Sequence, residues 1–261
     1  MRRANKILMA AVAILLCLVL ITTSVVSGVF ARFAIVKKSE TSVSFQSFGV
    51  TVELTPNSNL KTLSEVKKGD SASVMFEELP MAPGDEFYNA LHVQITGTPT
   101  VDIKFRMSCH IDYDTTKYKY NDKSYMPLGF TMRFSENGNL LDICYPYQEN
   151  KDNEEIEEII VRNMYNKIYN KNLKVGDLLF KTDSSTDYYY ETKYVTDTTK
   201  DNAWSNAPTN LKDFYLGFDF PDKGRSSGDK NTNFDPIVTA LSENAAGYQI
   251  KIMFSFTIEQ A

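Results

Sequence analysis

Apolar and polar residues alternate with a period of two along much of this chain. The clearest case runs from Val101 to Asp112. Val101, Ile103, Phe105, Met107, Cys109 and Ile111 fall on one face, and Asp102, Lys104, Arg106, Ser108, His110 and Asp112 on the other. The C-terminal stretch repeats the pattern, with Ile250, Ile252, Phe254, Phe256 and Ile258 alternating with Lys251, Met253, Ser255, Thr257 and Glu259. A strand with one wet face belongs to an antiparallel sheet packed through its dry face on a second layer. Further strands are predicted at Val43 to Leu54, Ala72 to Phe76, Ala90 to Thr96, Phe130 to Phe134, Leu140 to Tyr145 and Leu211 to Phe220. Asn137-Gly138, within Glu136 to Asn139, predicts a tight hairpin turn between two of them.

Two segments change period. Ile156, Ile159, Ile160, Met164 and Ile168 recur at helical spacing. Asp152 or Asn153 is placed to cap the start, and Glu154, Glu155, Glu157 and Glu158 crowd the first turns, where the helix dipole favours negative charge. A second helix is predicted from Asp235-Pro236 to Gly247. The polar stretch Asp183 to Pro208 and the loop Phe220 to Asn233 read as insertions, the places where binding surfaces most often lie. The expected fold class is mainly β: a single antiparallel β-sandwich domain over residues 32–261, with two short helices and long loop insertions.

The first 31 residues follow another logic. Arg2, Arg3 and Lys6 precede an uncharged apolar run, Ile7 to Ile21, and Val29-Phe30-Ala31 has the small-residue spacing that a signal peptidase accepts. The segment reads as an export signal cut between Ala31 and Arg32, which places the protein outside the cytoplasm. The run is shorter than the roughly 20 residues that span a bilayer. Val25 to Val36 adds only Arg32 as a charge, however, so a retained leader would anchor the protein in the cytoplasmic membrane.

Cleavage removes three of the 28 basic residues and none of the 33 acidic ones, leaving 25 against 33 and a net charge of −8. Such a surface argues against nucleic acid and against anionic membrane as partners. Two cysteines follow the leader, Cys109 and Cys144. Their strand phases differ, Cys109 lying with the apolar positions and Cys144 with Asp142, which favours two separate thiols over a disulfide.

Catalytic patterns are missing. The two histidines, His92 and His110, form no His-Glu-x-x-His helix, and neither a Gly-x-Ser-x-Gly elbow nor a phosphate-binding glycine loop occurs. Asp229, Asn231, Asn233 and Asp235 alternate as in a calcium loop, but Phe234 stands where the glycine belongs and Ala240 where the acidic twelfth ligand belongs. Neither a metal nor a cofactor is expected. Tyr188-Tyr189-Tyr190, Tyr194 and Trp204 allow two readings: a surface that stacks on a sugar or partner protein, or an ordinary strand with one aromatic face.

Ser27 to Phe33, followed by the strand Val43 to Leu54 with Phe45, Phe48, Gly49 and Leu54, resembles the TasA/camelysin family of exported bacterial matrix-fibre proteins. Met81-Ala82-Pro83-Gly84-Asp85 ahead of the alternating strand is similar to that family's proline-glycine-aspartate turn, and Ile258-Glu259-Gln260 is similar to its ending. Phe33-Ala34-Ile35 departs from the family's usual aromatic-Ser/Thr-Asp, and the stretch from about Tyr113 to Pro236 is peculiar to this chain. The resemblance implies a jelly-roll sandwich and an extracellular matrix protein, as in biofilm fibres, whose subunits join by strand donation.

Physical reasoning meets the resemblance at one point. Once cut, Arg32 to Leu54 is a β-prone segment with no preceding element, and Val43, Phe45, Phe48, Val50, Val52 and Leu54 are its candidate donor positions. Such a segment either folds onto its own sheet or completes the edge of a neighbour. Head-to-tail donation does not close, so it yields filaments. The leading expectation is therefore a secreted, self-associating structural protein, with other matrix or surface proteins as further partners. The alternative is a non-enzymatic adhesin using Tyr188, Tyr190, Tyr194 and Trp204. An enzyme ranks third, suggested only by the classing of part of the resembling family with metallopeptidases.

Overall fold

The computed structural model describes residues 37–38, 42–67, 69–77, 85–114, 116, 118–145, 148–150, 153–174, 177, 180–181, 188–220 and 250–261. The leader with its Ala31–Arg32 junction, residues 81–84 of the proline-glycine turn, the Asp229–Asp235 loop and the whole of the second predicted helix lie outside them. Lys37–Ala261 forms one compact unit.

Two antiparallel sheets make the body. The first has seven strands. Its outer edge is β1 (Lys37–Lys38), followed by β4 (Thr62–Lys67), β5 (Ser71–Phe76), β16 (Lys251–Gln260), β7 (Ile103–Asp112), β14 (Tyr188–Tyr194) and β13 (Phe180–Lys181). The second has six, in the order β11 (Leu141–Cys144), β10 (Gly129–Arg133), β15 (Asp213–Phe220), β6 (Asp85–Gly97), β3 (Val50–Pro56) and β2 (Val43–Ser47). A small third sheet joins β12 (Gln148–Asn150), β9 (Lys123–Met126) and β8 (Lys119–Tyr120).

Period-two patterning places the core. In β7, Ile103, Phe105, Met107, Cys109 and Ile111 are buried, and in β16 so are Ile252, Phe254, Phe256 and Ile258. The register sets Phe254 against Cys109 and Phe256 against Met107, so these inward rows form one surface. From the other sheet β15 contributes Phe214, Leu216 and Phe218, and β3 contributes Val50, Val52 and Leu54. The layers touch directly: the Phe76 and Phe218 rings meet edge-on at 5.3 Å, and Phe214 lies 6.2 Å from Phe256. Each such side chain contributes about 1.5–3 kcal/mol of gross burial free energy. The result is a β-sandwich.

Helix α1 (Asn153–Tyr169) fills the side of the sandwich between β11 and β14. Its Ile156, Ile160, Val161, Met164 and Ile168 join the common core. The predicted capping region and apolar stripe therefore belong to a 17-residue helix. A four-residue helix, α2 (Thr209–Lys212), leads into β15 and buries Leu211.

Four local expectations need correction. Val43 to Leu54 is two strands, not one: Phe48 (φ 50°) and Gly49 (φ 87°) make a two-residue turn that pairs Ser47 with Val50. Two consecutive positive φ angles define the mirror-image turn that suits hairpin twist. Asn137-Gly138 has a different place, because the Gly138 N–H donates to Ser135 O at 2.9 Å and the link between β10 and β11 is a longer loop. Val101 lies in a bend ahead of β7 and is only half-buried. Finally, Asp183–Pro208 is no loop insertion throughout, since β14 pairs with β7 over seven residues. Strands β4, β8, β9 and β12 were not expected from the pattern; each is short or polar.

Candidate functional site

The strand-donation expectation directs attention to the sheet edges, where backbone groups lack a neighbour. Two edges lie on the same side of the sandwich, where β2 packs near β4 and β5. β2 is the outermost strand of the six-stranded sheet. Its sequence Val43-Ser44-Phe45-Gln46-Ser47 carries no charge and no proline, the devices that usually blunt an edge. Phe45 is buried, whereas Ser44 and Gln46 are exposed.

On the other sheet, among the described residues, β1 pairs with the outer side of β4 over two residues. Lys37 pairs with Ser64 and Lys38 with Leu63. Thr62 and Ser64 face inward and are buried at 5% and 2% exposure, but Val66, next on the same row, is 40% exposed. It is the one exposed large hydrophobic side chain among the described residues. The inward row of β4 thus becomes exposed at Val66. Small polar side chains fill the rest, and the Ser64 hydroxyl is buried without a hydrogen-bond partner.

The expected donor residues are divided between two roles. Val50, Val52 and Leu54 are fully buried in β3, hydrogen-bonded on both sides by β2 and β6. Val43 and Phe45 lie on the edge strand β2, and Phe48 sits in the turn. Gly49 and Gly97 face each other there. A Cβ on Gly97, whose φ is 90°, would stand 2.2 Å from Gly49 O, and one on Gly49 would stand 2.4 Å from Thr98 O. Only glycine allows these two backbones to approach. What precedes β2 in the described chain is β1, laid along β4.

The expected aromatic binding surface is corrected. Tyr190, Tyr194 and Trp204 are 7%, 3% and 5% exposed, and Tyr188 is half-buried. The register with β7 puts Tyr190 beside Met107 and Tyr194 beside Ile103, on the inward face of the sheet, while Tyr189 points outward with Ser108. Tyr165 of α1 stacks on Tyr190 and Tyr169, and the Tyr194 hydroxyl donates to the Tyr169 hydroxyl at 2.9 Å. Trp204 donates its indole N–H to Gly97 O at 3.0 Å and meets Tyr194 edge-on. These rings join the helix to the sheet. Burial pushes the Tyr169 hydroxyl up to about 12 and raises those of Tyr190 and Tyr194 further above the ordinary phenol range.

The titratable groups are dispersed. His92 stacks on Tyr215 and approaches Asp213 at 2.8 Å on one sheet, and His110 lies 3.0 Å from the buried Glu157 on the other. Among the described residues no three His, Cys, Asp or Glu side chains converge as a metal site would require. Cys109 and Cys144 are separate buried thiols on different sheets, and burial pushes the Cys144 thiol up to about 12. On the outer face of the seven-stranded sheet, Arg106 binds Glu191 of β14 and Glu259 of β16, spanning three strands. Desolvation opposes the charged guanidinium, but these two carboxylates outweigh it and hold its pKa above the usual value.

No protein-family model, no curated protein and no solved structure matches this chain.

Proposed function

We propose that this protein is an exported structural subunit that assembles into filaments, the segment after the leader pairing with the β4 edge of a neighbouring copy. The observation that carries this reading is the exposed Val66 on the otherwise buried inward row of β4, a strand that among the described residues is paired on its outer side by Lys37–Lys38. Backbone pairing at such an edge supplies affinity, and the alternate side-chain pockets supply register. The uncharged β2 edge on the same side offers a second place for a strand to add.

The sequence features that resemble TasA/camelysin proteins support the same reading, and a jelly-roll connection of the sandwich belongs to it. The placement of β1 bears on the mechanism. A segment that reaches its own β4 reaches a neighbour's by the same hydrogen bonds once it is freed at Arg32, so assembly exchanges a contact within one chain for one between chains. The donor then lies ahead of β2, in residues 32–42, and the β2–β3 hairpin stays with its own sheet.

Deleting Arg32 to Ser42 from the leaderless protein tests the reading. The expected outcome is a folded monomer with an unchanged β-sheet circular dichroism spectrum and no filaments in electron micrographs. Filaments that persist in this variant contradict it.

A further inference from the structure

The side of the sandwich closed by α1 carries a groove on its solvent face, with a volume of about 690 Å³, within the range of small-molecule sites. One wall is helical. Asn163, Asn166, Lys167 and Asn170 recur at i, i+3, i+4 and i+7, so they share a face of α1. Asp142 and Tyr145, in and just after β11, and Asn210 of α2 complete the polar lining.

Two of the amides hold the frame. Asn163 donates its side-chain N–H to Ile143 O at 2.7 Å, and Asn166 clasps Leu173 through both of its polar atoms, at 3.0 and 2.8 Å. Asn170, at φ 50°, ends the helix in the conformation that asparagine tolerates, and Lys167 suits the negative end of the helix dipole. Lys171, Asn172 and Asn210 have no such role. None of these last three makes a side-chain hydrogen bond or ion pair with another described residue. The groove therefore presents unused carboxamides and two ammonium groups beside one carboxylate.

We propose that this groove binds an acidic oligosaccharide bearing carboxylates of the uronic-acid kind. A carboxamide sets a donor and an acceptor side by side, the complement of a pair of neighbouring sugar hydroxyls. Asp142 is the one carboxylate in the lining. Lys167 and Lys171 outnumber it and give the groove a local positive balance on a chain of net charge −5, so a carboxylate on the ligand is matched. Tyr145 offers a half-buried ring to the apolar face of a pyranose. A purely apolar ligand is disfavoured, because it would strip water from amides and ammonium groups and replace none of their hydrogen bonds. The groove flanks β11, at the opposite edge of its sheet from β2. Five strand spacings, about 24 Å, separate them, so this binding is independent of filament assembly.

Calorimetric titration of the purified protein with trigalacturonate tests the site, with neutral galactotriose and glycerol phosphate as comparison arms. The expected result is saturable binding of trigalacturonate that weakens as salt is added. The double variant Lys167→Gln/Lys171→Gln should lose at least about tenfold in affinity, and Asn210→Ala should lose several-fold, both with unchanged thermal midpoints. No saturable binding up to about 10 mM overturns the proposal, as does unaltered affinity in the double variant. A preference for galactotriose or for glycerol phosphate also overturns it, by assigning the groove to a neutral sugar or to a phosphate instead.

Discussion

Trp204 and Tyr190 show how one residue type can carry opposite roles. Both were candidates for an exposed binding surface, yet the structure buries them, Tyr190 under Tyr165 of α1 and Trp204 against Tyr194 and Gly97. Replacing either by alanine opens a cavity, and for Trp204 it also leaves Gly97 O without its donor. Each variant should lose about 3–5 kcal/mol of stability in urea unfolding, where a surface aromatic would change it by less than about 0.5 kcal/mol. The buried phenols add a pH dependence. Tyr169 ionises at 10 in the unfolded chain and near 12 in the folded one. Below about pH 10 both states hold the proton and the contribution is complete. Above that the unfolded chain ionises first, so stability falls as pH rises toward about 12. Thermal midpoints should be flat from about pH 7 to about pH 9 and drop steeply beyond pH 10, with phenolate absorbance rising as the protein unfolds. A phenolate signal that rises fully while the fold persists contradicts this.

The long alternating strands and the amphipathic helix were legible because their burial follows one period over ten or more residues, as in β7, β16 and α1. The hairpin hidden in Val43 to Leu54 was not, because Phe48-Gly49 lacks the usual Asn-Gly signature and its flanks keep the same alternation. Neither was β14, whose three consecutive tyrosines conceal which face is inward until the register with β7 is known. Strand β4 offered only Thr62, Ser64 and Val66 as an inward row, too polar to stand out. The groove escaped notice because its walls come from α1, β11 and α2, which sequence distance separates, although the asparagine spacing along α1 was open to view. How α1 docks is itself testable. Glu157 is 1% exposed and accepts the Ile111 N–H at 2.7 Å. Glu157→Ala removes that acceptor and the carboxylate beside His110, and should cost about 1–3 kcal/mol, read as a lower urea midpoint with an unchanged slope. Glu157→Gln, which keeps an acceptor oxygen, should cost less.

At the scale of the whole molecule, α1 packs against one flank of the sandwich, and the other flank carries the outermost strands β2 and β1, with β4 next to β1. In the proposed assembly, the flank with β2, β1 and β4 is the side that takes a strand. On the proposed assembly, the chain's negative balance opposes the approach of like copies, so added salt should accelerate filament growth followed by light scattering. The central claim is that Lys38 pairs with Leu63 of another copy as well as with its own. The direct measurement is to mix leaderless Lys38→Cys protein with leaderless Leu63→Cys protein under mild oxidation and separate the products without reductant. Strand exchange predicts a disulfide-linked dimer containing one of each variant, while Cys109 and Cys144 stay buried and unreactive. If the mixture yields no mixed dimer, while a single chain carrying both substitutions closes its own disulfide, the segment serves only its own sheet and the account is contradicted.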